Sequence, residues 1–164
     1  GNLGIDSAAG QAIAVYLLAY MFTNLGAFAV VQALEKLDGS GSNISDFDGL
    51  FNSKPLIAVA MAIFMLSLVG IPLTGGFIGK WLVFGAAIQS NLIILSVIGV
   101  LTSVVSAFYY MRIVVGMFLR DGEGSDAPGA TTPVTLTIYA AMAGVLITGI
   151  LLPIVSSLAS AITF

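Results

Sequence analysis

The sequence predicts an all-α integral membrane protein, a bundle of four transmembrane helices with the second one discontinuous and broken over residues 72–76. Three observations predict it. Of 164 residues, 59% are hydrophobic and only 8% charged, whereas a soluble domain carries about 25% charged residues. So few charges cannot cover a soluble surface. The apolar runs are long and uninterrupted, unlike the alternating strands of a transmembrane barrel, so they read as helices. Finally, one apolar run is interrupted by a cluster of helix-breaking residues that ends on a lysine.

The first ten residues are polar and carry one charge, Asp6, and read as an exposed lead-in. Residues 11–34 contain no charge. At ~1.5 Å per residue they exceed the ~30 Å hydrocarbon core and form the first span. Tyr16, Tyr20, Thr23 and Asn24 fall on one helical face. That face suits interhelical hydrogen bonds or a transport path. Gly26 and Ala27 permit close helix contact.

Residues 35–54 form the first connection, with six of the thirteen charges. Phe47, Leu50 and Phe51 are spaced for a short interfacial turn, although a plain solvated loop fits equally. Residues 55–89 are the second apolar stretch. Pro55 suits a first helical turn. A straight helix of that length would reach ~52 Å, well beyond the membrane core. Gly70, Pro72, Gly75, Gly76 and Gly79 mark the break. The expected halves are residues 56–70 and 77–89.

The connection through Gln89, Ser90 and Asn91 is short, which predicts that the second and third spans are antiparallel neighbours. The third span, residues 91–119, carries a polar face of Thr102, Ser103, Ser106, Tyr109 and Tyr110, followed by Arg112. Residues 120–132 form a second charged connection. The fourth span covers residues 133–153, and the small and hydroxylated residues after it extend that helix or form a tail. The whole reads as one transmembrane helical domain, residues 1–164.

Lys36 and Lys54 lie in the first connection and Arg120 opens the second, while the turn at Ser90 and both ends carry no lysine or arginine. The positive-inside rule then places residues 35–54 and 120–132 in the cytoplasm and both termini outside. The chain opens on Gly1 without a basic region or cleavage site, so no signal peptide is expected. Without cysteine or histidine, disulfides, haem, iron–sulfur clusters and most zinc or copper sites are excluded, and no cofactor or metal is expected in this chain. The net charge of −3 argues for no nucleic-acid partner.

Lys80 is the residue that demands a function. It stands nine residues before Gln89, ~13 Å from the outer surface and close to mid-membrane. A lysine there costs ~2.5–3.5 kcal/mol. Desolvation disfavours its ammonium form, and so does the positive end of the second half-helix. A group poised between neutral and charged forms is suited to carrying protons. The alternative is a static ion pair, but all eight acidic residues lie in the lead-in or connections. A carboxylate partner would come from further sequence or another subunit. Arg112, near its helix end, either snorkels to the interface or steers protons. Ser103 and Ser106 bind water or bond back to their own helix.

The stretches GIPLTGGFIGKWLVF, YMFTNLGAFAVV and SVVSAFYYMRIVVGMF resemble, in order and spacing, the antiporter-like membrane subunits of respiratory complex I, nearest to the N type of bacterial NADH–quinone oxidoreductase. The resemblance implies a longer chain of about fourteen spans, built from inverted repeats that each hold a broken helix. This chain would be its C-terminal part, with Lys80 at the outer end of a proton path in a bacterial inner membrane. It implies as partners the other membrane subunits, including sister antiporter-like subunits, together with lipid, protons and internal water. NADH, flavin, iron–sulfur clusters and quinone would belong to other subunits. A multi-subunit sodium/proton antiporter of related fold is the alternative function, and a purely structural scaffold a third.

Overall fold

A computed structural model describes the backbone of residues 8–35, 43–122 and 130–162, with side chains from residue 9 and as far as residue 151 in the last helix. The lead-in with Asp6, Lys36 and its neighbours, residues 123–129 and the last two residues lie outside the described residues.

Every regular element described is helical. Helix α1 spans Ala8–Leu34, a 3₁₀ turn Ile44–Phe47, α2 Leu50–Ser53, α3 Pro55–Val69, α4 Gly75–Gln89, α5 Ile93–Leu119 and α6 Thr132–Ile162. Helices α1, α5 and α6 are long and apolar enough to cross a membrane, and α3 is a shorter apolar helix. Helix α6 continues through Pro153, so the small-residue tail does extend the fourth apolar run.

Pro55 opens α3 at its first turn, where its missing N–H costs nothing. Gly70 closes it in the left-handed region, at φ +90°. The Gly70 N–H bonds to the Leu66 and Ser67 carbonyls, and the Ile71 N–H to Leu66. This is a Schellman cap, which a glycine accommodates without a Cβ penalty. The connection then turns through Leu73, at φ +76°.

Helix α4 starts at Gly75, two residues before the expected start at 77. Gly75, Gly76 and Gly79, expected in the break, lie instead in the first two turns of α4, and each one abuts a neighbouring helix. A Cβ on Gly75 would meet Thr148 of α6 and Ala19 of α1, one on Gly76 the Ser67 carbonyl of α3, and one on Gly79 the Tyr16 backbone of α1. Gly70 and Pro72 remain in the non-helical link. Gly26 similarly lets α1 lie against the Phe64 ring.

Helix α1 packs against α6, α4 and α3. The core runs through Val30, Leu34, Phe64, Met65, Met117 and Val145, all buried. The tight turn after α4 forms as expected, with the Leu92 N–H bonded to Ala87. Helix α5, however, packs mainly on α3 and only secondarily on α4, so adjacency in sequence does not set its chief partner.

The described part of the first connection is not a solvated loop. Phe47 and Leu50 are buried, and Phe51 stacks on Phe118 at 4.8 Å. The Gly49 N–H bonds to the Gly116 carbonyl at 3.1 Å, and Arg120 pairs with Asp48 at 3.4 Å. The starts of α2 and α3 and the end of α5 therefore lie at one end of the molecule.

Candidate functional site

The α3 cap decides where Lys80 goes. A helix leaves its last carbonyls without intrahelical donors. The Schellman bonds take those of Leu66 and Ser67 and leave Leu68 and Val69. Lys80 Nζ fills both places, donating to the Leu68 carbonyl at 2.7 Å and the Val69 carbonyl at 3.1 Å.

This corrects one expectation about the local field. Lys80 is the sixth residue of α4, past its first turn, where the positive helix end has little reach. Its side chain folds back onto the carbonyl end of α3, which favours a cation. No carboxylate pairs with it among the described residues; backbone carbonyls do that work instead.

The lysine forms part of the wall of a cavity of about 290 Å³. Helix α1 contributes Tyr16, Tyr20 and Thr23, α3 contributes Ser67 and Leu68, and α4 contributes Gly76. Helix α5 contributes Thr102, Ser103, Ser106 and Tyr110. The polar faces expected on the first and third spans therefore converge where α3 and α4 meet. On α5 the hydroxyls of Thr102 and Ser103 donate to the Gly99 carbonyl and that of Ser106 to the Ser103 carbonyl, so all three bond back to their own helix. All three residues still line the cavity, and a hydroxyl that donates keeps lone pairs with which to accept.

Three expected site residues lie outside this cavity. Asn24 donates to the Tyr20 carbonyl at 2.8 Å. Tyr109 is exposed and meets Phe108 edge-on. Arg112 is exposed on α5.

Two hydroxyl residues escaped the sequence reading. Ser67 is 1% exposed; its Oγ accepts the Gly76 N–H at 3.1 Å and lies 3.0 Å from Thr23 Oγ1. Thr148 is buried against Gly75, with its hydroxyl bonded to the Gly144 carbonyl at 2.7 Å. A serine one turn before a glycine cap was the only available signal for the first. Nothing in the sequence links Thr148 to the break.

Comparison with known proteins fits this architecture. Residues 2–106 match the family described as NADH:quinone oxidoreductase/Mrp antiporter, transmembrane. NADH-quinone oxidoreductase subunit N 1 of Herpetosiphon aurantiacus is 45% identical over 164 residues, covering 99% of this chain and 33% of that protein. NADH-quinone oxidoreductase subunit N 1 of Solibacter usitatus is 47% identical over 133 residues, covering 80% of this chain and 27% of that protein. A chain of respiratory complex I from Thermus thermophilus, solved with aureothin bound, superposes with a TM-score of 0.74 at 32% identity. That match covers 87% of this chain and 34% of the other. The chain thus spans about a third of the length of the relatives it matches. With the family matched across residues 2–106, the chain belongs to the NADH:quinone oxidoreductase/Mrp antiporter transmembrane family, and within it is similar to subunit N of NADH-quinone oxidoreductase.

Proposed function

We propose that the chain is part of an antiporter-like, proton-translocating subunit of a bacterial NADH–quinone oxidoreductase, with Lys80 as a proton carrier on the outward side of the path. In this reading α3 and α4 are the halves of one discontinuous transmembrane helix, which makes a four-span bundle within a longer chain. The connections between α1 and α3 and between α5 and α6 face the cytoplasm. Redox cofactors and quinone belong to other subunits, and sister membrane subunits are its neighbours.

One observation carries the proposal: a lysine ammonium held by two helix-end carbonyls on the wall of a hydroxyl-lined cavity. Irregular backbone at membrane depth is tolerated where it lines such a cavity. The neutral amine takes a proton from cavity water. The resulting ammonium docks on Leu68 and Val69 until a change in neighbouring charge drives its proton outward. Ser103, Ser106 and Tyr110 provide oxygens that orient the water.

The test is Lys80→Ala in the full-length subunit within the intact complex, reconstituted in liposomes. Protons translocated per NADH oxidised should fall while the enzyme stays assembled. An unchanged ratio in an assembled complex would sink the assignment. The family description also names antiporters. A sodium dependence of translocation in the same liposomes would favour that reading, although the named relatives point to the quinone-linked one.

A further inference from the structure

We infer that Ser67 is a positioning residue that holds the two halves of the interrupted helix in the register Lys80 needs. The inference rests on Lys80 being the proton carrier, and it concerns what places that lysine on its carbonyls.

No helical hydrogen bonds run continuously from α3 to α4, so their register depends on ties across the gap. Among the described residues, the hydrogen bonds joining the two helices are those of Lys80 itself and one other, from the Gly76 N–H to Ser67 Oγ. Thr74, at the N-cap position of α4, makes no side-chain cap bond; its hydroxyl turns back to donate to the Ile71 carbonyl at 2.7 Å. Ser67 meets the Gly76 amide in its place.

Ser67 is itself anchored. Thr23 Oγ1 lies 2.7 Å from the Ala19 carbonyl, which can only accept, so the Thr23 proton goes there. The Ser67 proton must then go to Thr23, across 3.0 Å. Both residues are 1% exposed. The chain of bonds has one direction: Gly76 amide to Ser67, Ser67 to Thr23, Thr23 to the α1 backbone. It joins three helices. The residue after Ser67 is Leu68, whose carbonyl takes the shorter Lys80 bond. Removing the Ser67 hydroxyl frees the first turn of α4 beside that carbonyl.

The experiment uses Ser67→Ala, Ser67→Thr, Thr23→Val, Thr23→Ser and Lys80→Ala in the intact complex. Two quantities are read: protons translocated per NADH oxidised, and the position of Lys80 by electron cryo-microscopy. Ser67→Ala should lose protons per NADH to an extent comparable with Lys80→Ala, and Lys80 should leave the Leu68 and Val69 carbonyls. Ser67→Thr and Thr23→Ser, which keep a hydroxyl, should retain the ratio, while Thr23→Val should lower it. A merely space-filling role would not separate the hydroxyl-bearing variants from the others. Lys80 still seated on both carbonyls in Ser67→Ala would overturn the inference. Should Ser67→Ala fail to assemble, the Thr23 pair carries the same test. If Lys80→Ala translocates normally, the proposed function falls, while the position of Lys80 in Ser67→Ala still decides whether Ser67 holds it.

Discussion

At the scale of single residues, the question for Lys80 is whether its charge or its change of charge matters. The docking geometry suits a permanent cation: two carbonyl acceptors at 2.7 and 3.1 Å and the negative end of α3. A static anchor would therefore tolerate any cation that reaches them. Arginine is such a cation and cannot be deprotonated in proteins. Lys80→Arg in the full complex should therefore assemble and oxidise NADH normally but translocate no more protons than Lys80→Ala. Translocation at the level of the unsubstituted complex would identify Lys80 as an anchor. The lysine was legible in the sequence because a charge at that depth is costly and has few bland explanations. Its acceptors were not, because carbonyls carry no sequence signature; only the cap geometry at Gly70 exposes those of Leu68 and Val69. Ser67 was hidden for a related reason. It is one hydroxyl in an apolar run, and its meaning lies in Gly76, nine positions away, and Thr23, 44 positions away.

At the scale of elements, the sequence showed where α3 and α4 separate but not where α4 begins. Glycine and proline break helices on average, and that rule located Gly70 and Pro72 correctly. It misassigned Gly75, Gly76 and Gly79, where the absence of a side chain serves packing inside a helix. The two uses of glycine predict opposite outcomes on one helix. A Cβ at Gly76 would collide with the Ser67 carbonyl, which is backbone and cannot move aside, whereas a Cβ at Gly85 meets nothing within 4 Å. Gly76→Ala should push α4 off α3, costing about 1–3 kcal/mol in stability as overpacking does. It should lower proton translocation as well, since Lys80 moves with the helix. Gly85→Ala should leave translocation intact and raise stability by roughly 0.5–1 kcal/mol through helix propensity. Thermal denaturation of the two purified complexes, with the liposome assay beside it, checks both. Equal effects would mean that the close approach at Gly76 has no special consequence. The lean of α5 toward α3 was likewise illegible, because a short turn fixes direction and proximity but leaves the choice of partner to side-chain packing.

At the scale of the whole molecule, composition alone gave the membrane class, and the structure adds that the described parts of the two charged connections share an end. Asp48 pairs with Arg120, and a groove at that end is bordered by Lys54 of one connection, Pro55 at the start of α3 and Ala130 of the other connection. The Ser90 turn follows the C-terminal end of α4. Lys54 and Arg120 therefore share one end, and the positive-inside rule is the ground on which that end is proposed to be cytoplasmic. The direction matters to function, because it decides whether Lys80, on α4, stands on the outward or inward side of the break. The chain contains no cysteine, so single cysteines can report orientation without background from this segment. Ser45 and Ser90 are both exposed, Ser45 ahead of α3 and Ser90 just after α4. In spheroplasts carrying the full-length subunit, cleared of any other cysteine, a membrane-impermeant maleimide should label Ser90→Cys directly. Ser45→Cys should react only after the membrane is opened. The reverse pattern would invert the bundle and make the Lys80 side of the cavity a point of proton entry, since the carbonyl dock and the half-helix that carries it would then face the cytoplasm.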